Sequence, residues 1–183
     1  MKPMRVVRTM LLIVATTVAA SGVFAHPLPD SLIFLDVGRT EVTAELRLPA
    51  AQFAIGFGKS LPGTEEAISP GVRREIARYV ADHLSASDRD GTAWCTEVRD
   101  VRIVMEQGRD PHLHVTAFLV PPAQPTPRNF RLRTDLVVHE LLTHQLFVHL
   151  RRDWKITAAS EPFLLGRITH RITDLAIDLF DDE

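Results

Sequence analysis

Strict alternation of apolar and polar residues constrains the fold of this chain more than any other feature of its sequence. Every second residue is apolar between Glu41 and Leu48, and again between Leu113 and Leu119. Successive side chains of a β-strand point to opposite faces, so a period of two predicts strands that are buried on one face. The apolar positions are Val42, Ala44, Leu46, Leu48, Leu113, Val115, Ala117 and Leu119. The chain is therefore predicted to consist mainly of β-strands.

A helix interrupts the predicted strands. Ser69 can serve as its N-cap, Pro70 suits the first helical position, and apolar residues recur along one face as far as Leu84. The pattern as a whole predicts an antiparallel β-sandwich, Ig-like or jelly-roll-like, with a helical insertion between early strands. This domain is expected to cover residues 26–178, and residues 179–183 form an acidic tail. Further strands are predicted at residues 31–37, 98–106, 130–139, 144–151 and 166–172.

The first 25 residues have the pattern of a secretory signal peptide. Basic residues at the start precede an apolar run from Met10 to Ala20, and Ala25 supplies a small residue at the cleavage position. Cleavage there would export the protein to the periplasm and leave His26 as the first residue of the mature chain. An uncleaved membrane anchor is the alternative that this segment leaves open.

Composition excludes several classes of protein. The formal net charge of -2 argues against a nucleic-acid partner, because such proteins present a basic face. After the signal segment, no run of apolar residues is long enough to span a bilayer, so no transmembrane segment is expected in the mature chain. Cys95 is the only cysteine, which excludes an internal disulfide, and its apolar surroundings predict a buried side chain.

Any chemistry is expected to depend on the eight histidines, because the sequence contains no nucleotide-binding or hydrolase motif. We therefore do not predict an enzyme. His26 would carry both an imidazole and a free α-amine after cleavage, and copper favours such nitrogen ligands. His83 lies near the apolar face of the predicted helix and is expected to be packed rather than ligating.

His139 and His144 enclose four residues and form a candidate pair. If those residues make a hairpin loop, the two imidazoles lie opposite each other on adjacent strands and can share one metal ion. If they make a helical turn instead, the pair diverges. His112 and His114, two apart on one strand face, are a second candidate pair. The predicted metal ligands are thus His26, His139 and His144, with copper or nickel as the ion.

Several motifs together resemble a known family. The start His26–Ser31 (HPLPDS), the strand Ala44–Pro49 (AELRLP) and the block His139–Trp154 (HELLTHQLFVHLRRDW) are similar to the N-terminal extracytoplasmic domain of HupE/UreJ-like bacterial membrane proteins. In that family a multi-helix membrane region follows, which resembles nickel and cobalt permease accessories. The resemblance implies a metal-linked role and a membrane permease or another envelope protein as partner.

Two functions follow as hypotheses. The first is a periplasmic domain that binds copper or nickel for delivery or sequestration. The second is a non-catalytic interaction module that associates with a permease or another component of the envelope.

Overall fold

The computed structural model of this chain describes residues 30–63, 68–105, 110–122, 127–156 and 161–179. The predicted signal segment, His26 and residues 180–183 of the predicted tail lie outside these ranges. In chain order the elements are β1 (Ser31–Val37), β2 (Val42–Pro49), α1 (Ala50–Phe57), α2 (Pro70–His83), β3 (Leu84–Ser87), β4 (Cys95–Val104), β5 (His112–Val120), β6 (Asn129–Thr134), β7 (Leu146–Asp153), β8 (Phe163–Ile168) and β9 (Asp174–Asp178).

The strands form two sheets. One has six strands in the order β4-β5-β2-β1-β7-β8, and the other has three in the order β3-β6-β9. Both helices lie between β2 and β3, so the predicted mainly β, sandwich-like fold with an early helical insertion is confirmed. The departure from antiparallel pairing is at β1, which runs parallel to β7. Hydrophobic periodicity carries no information about strand direction, so the sequence could not indicate this pair.

The predicted alternation of buried and open positions is confirmed in the central strands. On β1, Ser31, Ile33, Leu35 and Val37 are buried, while the residues between them are partly exposed. The strands β2 and β5 repeat the pattern and pair along their whole length, with Leu46 opposite Val115. Their apolar faces join the side chains of α2 and of the smaller sheet in one hydrophobic core. Burial of this apolar area is the main driving force for the fold.

The helix α2 has a side-chain cap at its start and leads directly into a strand at its end. The Ser69 Oγ accepts a hydrogen bond from the Val72 backbone N–H at 3.3 Å, which confirms the predicted N-cap. Ile76 and Val80 are buried and hold the helix against the core. Leu84 is already extended, so the chain passes directly from the last helical residue, His83, into β3.

The predicted strand over residues 130–139 is too long. The strand β6 ends at Thr134, and a series of turns follows over residues 136–140. The Thr134 Oγ1 accepts from the Leu136 backbone N–H at 3.2 Å, which turns the chain away from the sheet. Val137 and Val138 favour strands by propensity, but both are fully buried within these turns. Burial in the core has overridden local preference.

The expected burial of Cys95 is also corrected. Cys95 is exposed rather than buried, because it begins the edge strand β4 next to the buried Trp94. Asp153 is buried, and its carboxylate pairs with Arg128 at 2.5 Å. The structure thus contains a charge pair within its interior.

Candidate metal centre

His83 and Asp135 meet where the end of α2 approaches the turns after β6. The His83 Nδ1 lies 2.7 Å from the Asp135 Oδ1. The backbone N–H of Asp135 also donates to the His83 carbonyl oxygen at 3.3 Å. Both the side chains and the backbones of these two residues are therefore joined, although 52 positions separate them in the sequence.

His139 joins them through its own turn. Its Nδ1 lies 2.8 Å from the backbone oxygen of Asp135, and its backbone N–H donates to the same oxygen at 3.2 Å. A carbonyl oxygen can only accept, so the Nδ1 must carry the proton. This leaves the lone pair on the Nε2, the arrangement that orients metal-binding histidines in proteins. The rings of His83 and His139 stack with centroids 4.7 Å apart.

These three residues can supply ligands to one ion. One ring nitrogen of each histidine and one carboxylate oxygen of Asp135 lie within 4.8 Å of one another. Ligands at about 2.0–2.1 Å from one ion are about 3 Å apart, so the His83–Asp135 contact is already close to that spacing. Movement of the partly exposed Asp135 carboxylate can shorten the remaining separation. Two imidazoles and one carboxylate suit first-row transition metals better than magnesium or calcium.

Aromatic rings close one side of the cluster. The Tyr79 ring centroid is 4.4 Å from that of His83, and the rings of Phe53 and Phe57 pack on Tyr79 at 5.3 and 5.4 Å. Burial raises the pKa of Tyr79 to about 12. The phenol therefore stays neutral at neutral pH and offers an ion no anionic oxygen. It acts as a wall that excludes water from one side of His83.

The backbone between Asp135 and His139 is strained. Val137 has a φ of 66°, which is unfavourable for a β-branched residue and needs support from its surroundings. Its carbonyl oxygen accepts from the Glu140 and Leu141 backbone N–H groups at 3.1 and 2.8 Å. On its other side, α1 comes close at Gly56, where an added Cβ would lie 2.9 Å from the Val137 Cα. Gly56 thus permits the contact that supports the ligand-bearing turn.

Replacing Gly56 with alanine is expected to lower the free energy of unfolding by about 1–3 kcal/mol, because the new methyl group overpacks this contact. Gly71 in α2 is a matched control, since a Cβ there would lie at an ordinary 3.7 Å from the Ser69 Oγ. Gly71→Ala should change stability by less than about 1 kcal/mol. Urea unfolding of both variants checks the difference, and equal stabilities would contradict a tight contact at Gly56.

The structure places only one of the three predicted metal ligands in the cluster. His26 lies outside the described residues. His139 is in the cluster, whereas His144 is buried elsewhere, with its Nε2 2.7 Å from the Ser31 Oγ. The cross-strand arrangement of His139 and His144 is wrong, because β6 and β7 belong to different sheets and turns separate the two histidines. His144 does not belong to the His83, Asp135 and His139 cluster.

The buried position of His144 predicts a pH dependence of stability. Burial lowers the pKa of His144, and the nearby Asp30 carboxylate opposes this shift. The folded protein therefore holds a neutral imidazole, whereas the unfolded chain binds a proton below about pH 6.5. The stabilising contribution is present at neutral pH and is lost as the pH falls below that value. Between about pH 7 and 5, His144→Gln should show a shallower loss of unfolding free energy than the unmodified protein; parallel curves would contradict this.

His112 and His114 do lie on one face of β5, as their spacing predicts. His114 is paired across the sheet with Arg47 on one side and Arg102 on the other. Burial, together with these two guanidinium groups, lowers the pKa of His114. A site between two arginines repels a metal cation, so this pair is a poor candidate.

A groove of about 1230 Å³ lies apart from the histidine cluster, with lining residues from β1, β2, β7, β8 and β9. The buried Arg128–Asp153 pair forms part of its wall. Trp154, Ile156 and Phe163 line the groove and are exposed. Several charged side chains that line the groove are paired with one another. The histidine cluster instead offers nitrogen and oxygen donors that can bind a cation.

Comparisons with known proteins add no family assignment. Neither the models of known protein families nor the curated protein sequences include a match to this chain. Within the described part of the chain, neither helix has the length and apolar character needed to cross a bilayer.

Proposed function

We propose that this chain is an exported domain that binds one copper or nickel ion through His83, Asp135 and His139. The observation that carries the proposal is the convergence of two imidazoles and a carboxylate within 4.8 Å. The hydrogen bond from the His139 Nδ1 to the Asp135 backbone oxygen supports it, because this bond fixes which nitrogen is available.

The donor set favours copper among the common divalent ions. Affinity for a given nitrogen and oxygen site rises along the first row to copper and falls again at zinc. Nickel is the next candidate in that order, and imidazole is a suitable ligand for both ions. The role proposed for the bound ion is delivery or sequestration in the periplasm.

Export is supported by the signal-like segment at residues 1–25. Similarity to the extracytoplasmic domain of HupE/UreJ-like proteins gives separate support for a periplasmic location and for a link to metals. Mass spectrometry of the protein recovered from the periplasm tests processing; a mature chain that begins at His26 is expected, and another start would exclude the free imidazole and amine at that position.

Calorimetric titration of the purified protein with copper(II) and nickel(II) tests the binding proposal. We expect one ion per chain, with copper bound more tightly than nickel. The variant His26→Ala distinguishes a site at His26, which the sequence predicts, from the cluster of His83, Asp135 and His139. If the cluster is the main site, this variant retains most of its affinity for the metal ion. If His26 is an essential ligand, most of that affinity is lost. No saturable binding of either ion would contradict the proposed function.

An interaction module is a second candidate, favoured by the exposed apolar side chains around the groove. Ile156 and Phe163 are each more than half exposed, and Trp154 lies beside them. Contiguous exposed apolar surface is typical of sites that contact other proteins. A permease or other envelope partner that copurifies in stoichiometric amount, and is lost with Ile156→Asp and Phe163→Asp, would favour this function. A chain that remains alone would count against it.

A further inference from the structure

Two donors of the proposed site, His83 and Asp135, differ in their access to water. The side chain of Asp135 is 46% exposed, compared with 26% for His83. The Tyr79 ring packs on His83 and lies 6.2 Å from the ring of His139. Asp135 is therefore more accessible to an approaching molecule than His83.

The donors also differ in how firmly they are held. The His139 ring is fixed by its hydrogen bond to the Asp135 backbone and by stacking on His83, which in turn packs on Tyr79. The Asp135 carboxylate has only the His83 Nδ1 as a hydrogen-bond partner among the described residues. Water can solvate this half-exposed carboxylate when it moves away. Asp135 is thus the donor that can leave at the lowest cost.

We propose, on the basis of the proposed function, that the ion is exchanged by direct attack of an external nitrogen donor on the Asp135 side. A bond forms between the ion and the entering nitrogen, and the bond between the ion and the Asp135 oxygen breaks. The oxidation state of the ion does not change. The entering group belongs to an imidazole or amine of the molecule that receives the metal.

The histidine bonds to the ion break after the first step. With the ion on its Nδ1, His83 would carry its ring proton on the Nε2, and solvent would return that proton to the Nδ1 on release. Asp135 then accepts the 2.7 Å hydrogen bond from His83 Nδ1 again. The hydrogen bond keeps the two donors together for the next ion.

Copper transfer to the tripeptide glycyl-glycyl-histidine, which offers only nitrogen and oxygen donors, tests the proposal. Stopped-flow absorbance follows transfer from the copper-loaded full chain. Direct attack predicts a rate that rises in proportion to tripeptide concentration. A rate independent of tripeptide concentration would show that the ion dissociates first and would overturn the proposal. Failure of the chain to take up copper would instead overturn the proposed function, and with it this inference.

Asp135→Asn identifies the leaving donor. The neutral amide is a weaker ligand, so we expect the second-order rate constant to rise about tenfold or more while both histidines still bind copper. Glu140→Gln is the matched control, because Glu140 is an exposed carboxylate of the same turn but not one of the three donors. Equal acceleration by both variants would assign the effect to general charge and would overturn the role of Asp135.

Discussion

Replacing His139 with alanine is expected to weaken copper binding by about 100-fold or more, since loss of a ligand exceeds the loss caused by an outer partner. The same result is expected for His83→Ala, because each variant leaves one imidazole and one carboxylate. Calorimetric titration measures the dissociation constants. The fold should persist, since neither imidazole is part of the buried core.

His170→Ala is the control for these variants. His170 is exposed in the turn after β8, outside the cluster, and its loss should leave copper affinity unchanged. Equal copper binding by all three variants would contradict the proposed site. Loss of the ion in His170→Ala alone would also contradict it, because binding would then depend on scattered surface histidines.

Asp153→Ala is expected to lower the free energy of unfolding by about 3–5 kcal/mol. The carboxylate of Asp153 is almost completely buried, and both of its oxygens lie within 2.6 Å of the Arg128 Nη1. Removal of the acid leaves the buried Arg128 guanidinium without this compensating charge. Much of the stability of a domain of this size can be lost in one such change. Denaturant unfolding of the variant measures the effect.

The pair between Arg131 and Asp174 is the matched control. It also joins an arginine and an aspartate, at 2.9 Å, but about half of each side chain is exposed. Asp174→Ala should cost less than about 1 kcal/mol, because solvent screens the pair. Similar losses for Asp153→Ala and Asp174→Ala would contradict the distinction between an interior and a surface ion pair.

The sequence predicts those parts of the fold whose burial pattern is local. In β1, β2 and β5 the alternation of apolar residues coincides with the observed buried faces, and Ser69 caps α2 as its position indicates. The end of β6 could not be predicted. Val137 and Val138 favour a strand in isolation, and only the surrounding core explains why they occupy buried turns.

The candidate site is predictable only in part, because its residues come from distant places in the chain. His139 stood out for its spacing to His144, which takes no part in the cluster. No local pattern links His83 to Asp135, since one ends a helix and the other follows a strand 52 positions later. The position of His83 at the junction of α2 and β3, directly before a strand, is the feature that could have drawn attention to it.

Nuclear magnetic resonance with substoichiometric copper(II) locates the ion most directly, because the paramagnetic ion broadens the signals of nearby amides. For an ion bound at His83, Asp135 and His139, we expect the amide signals of His83 and of residues 135–139 to disappear first. Broadening centred on Ser31 and His144, or spread evenly over the exposed histidines, would contradict it.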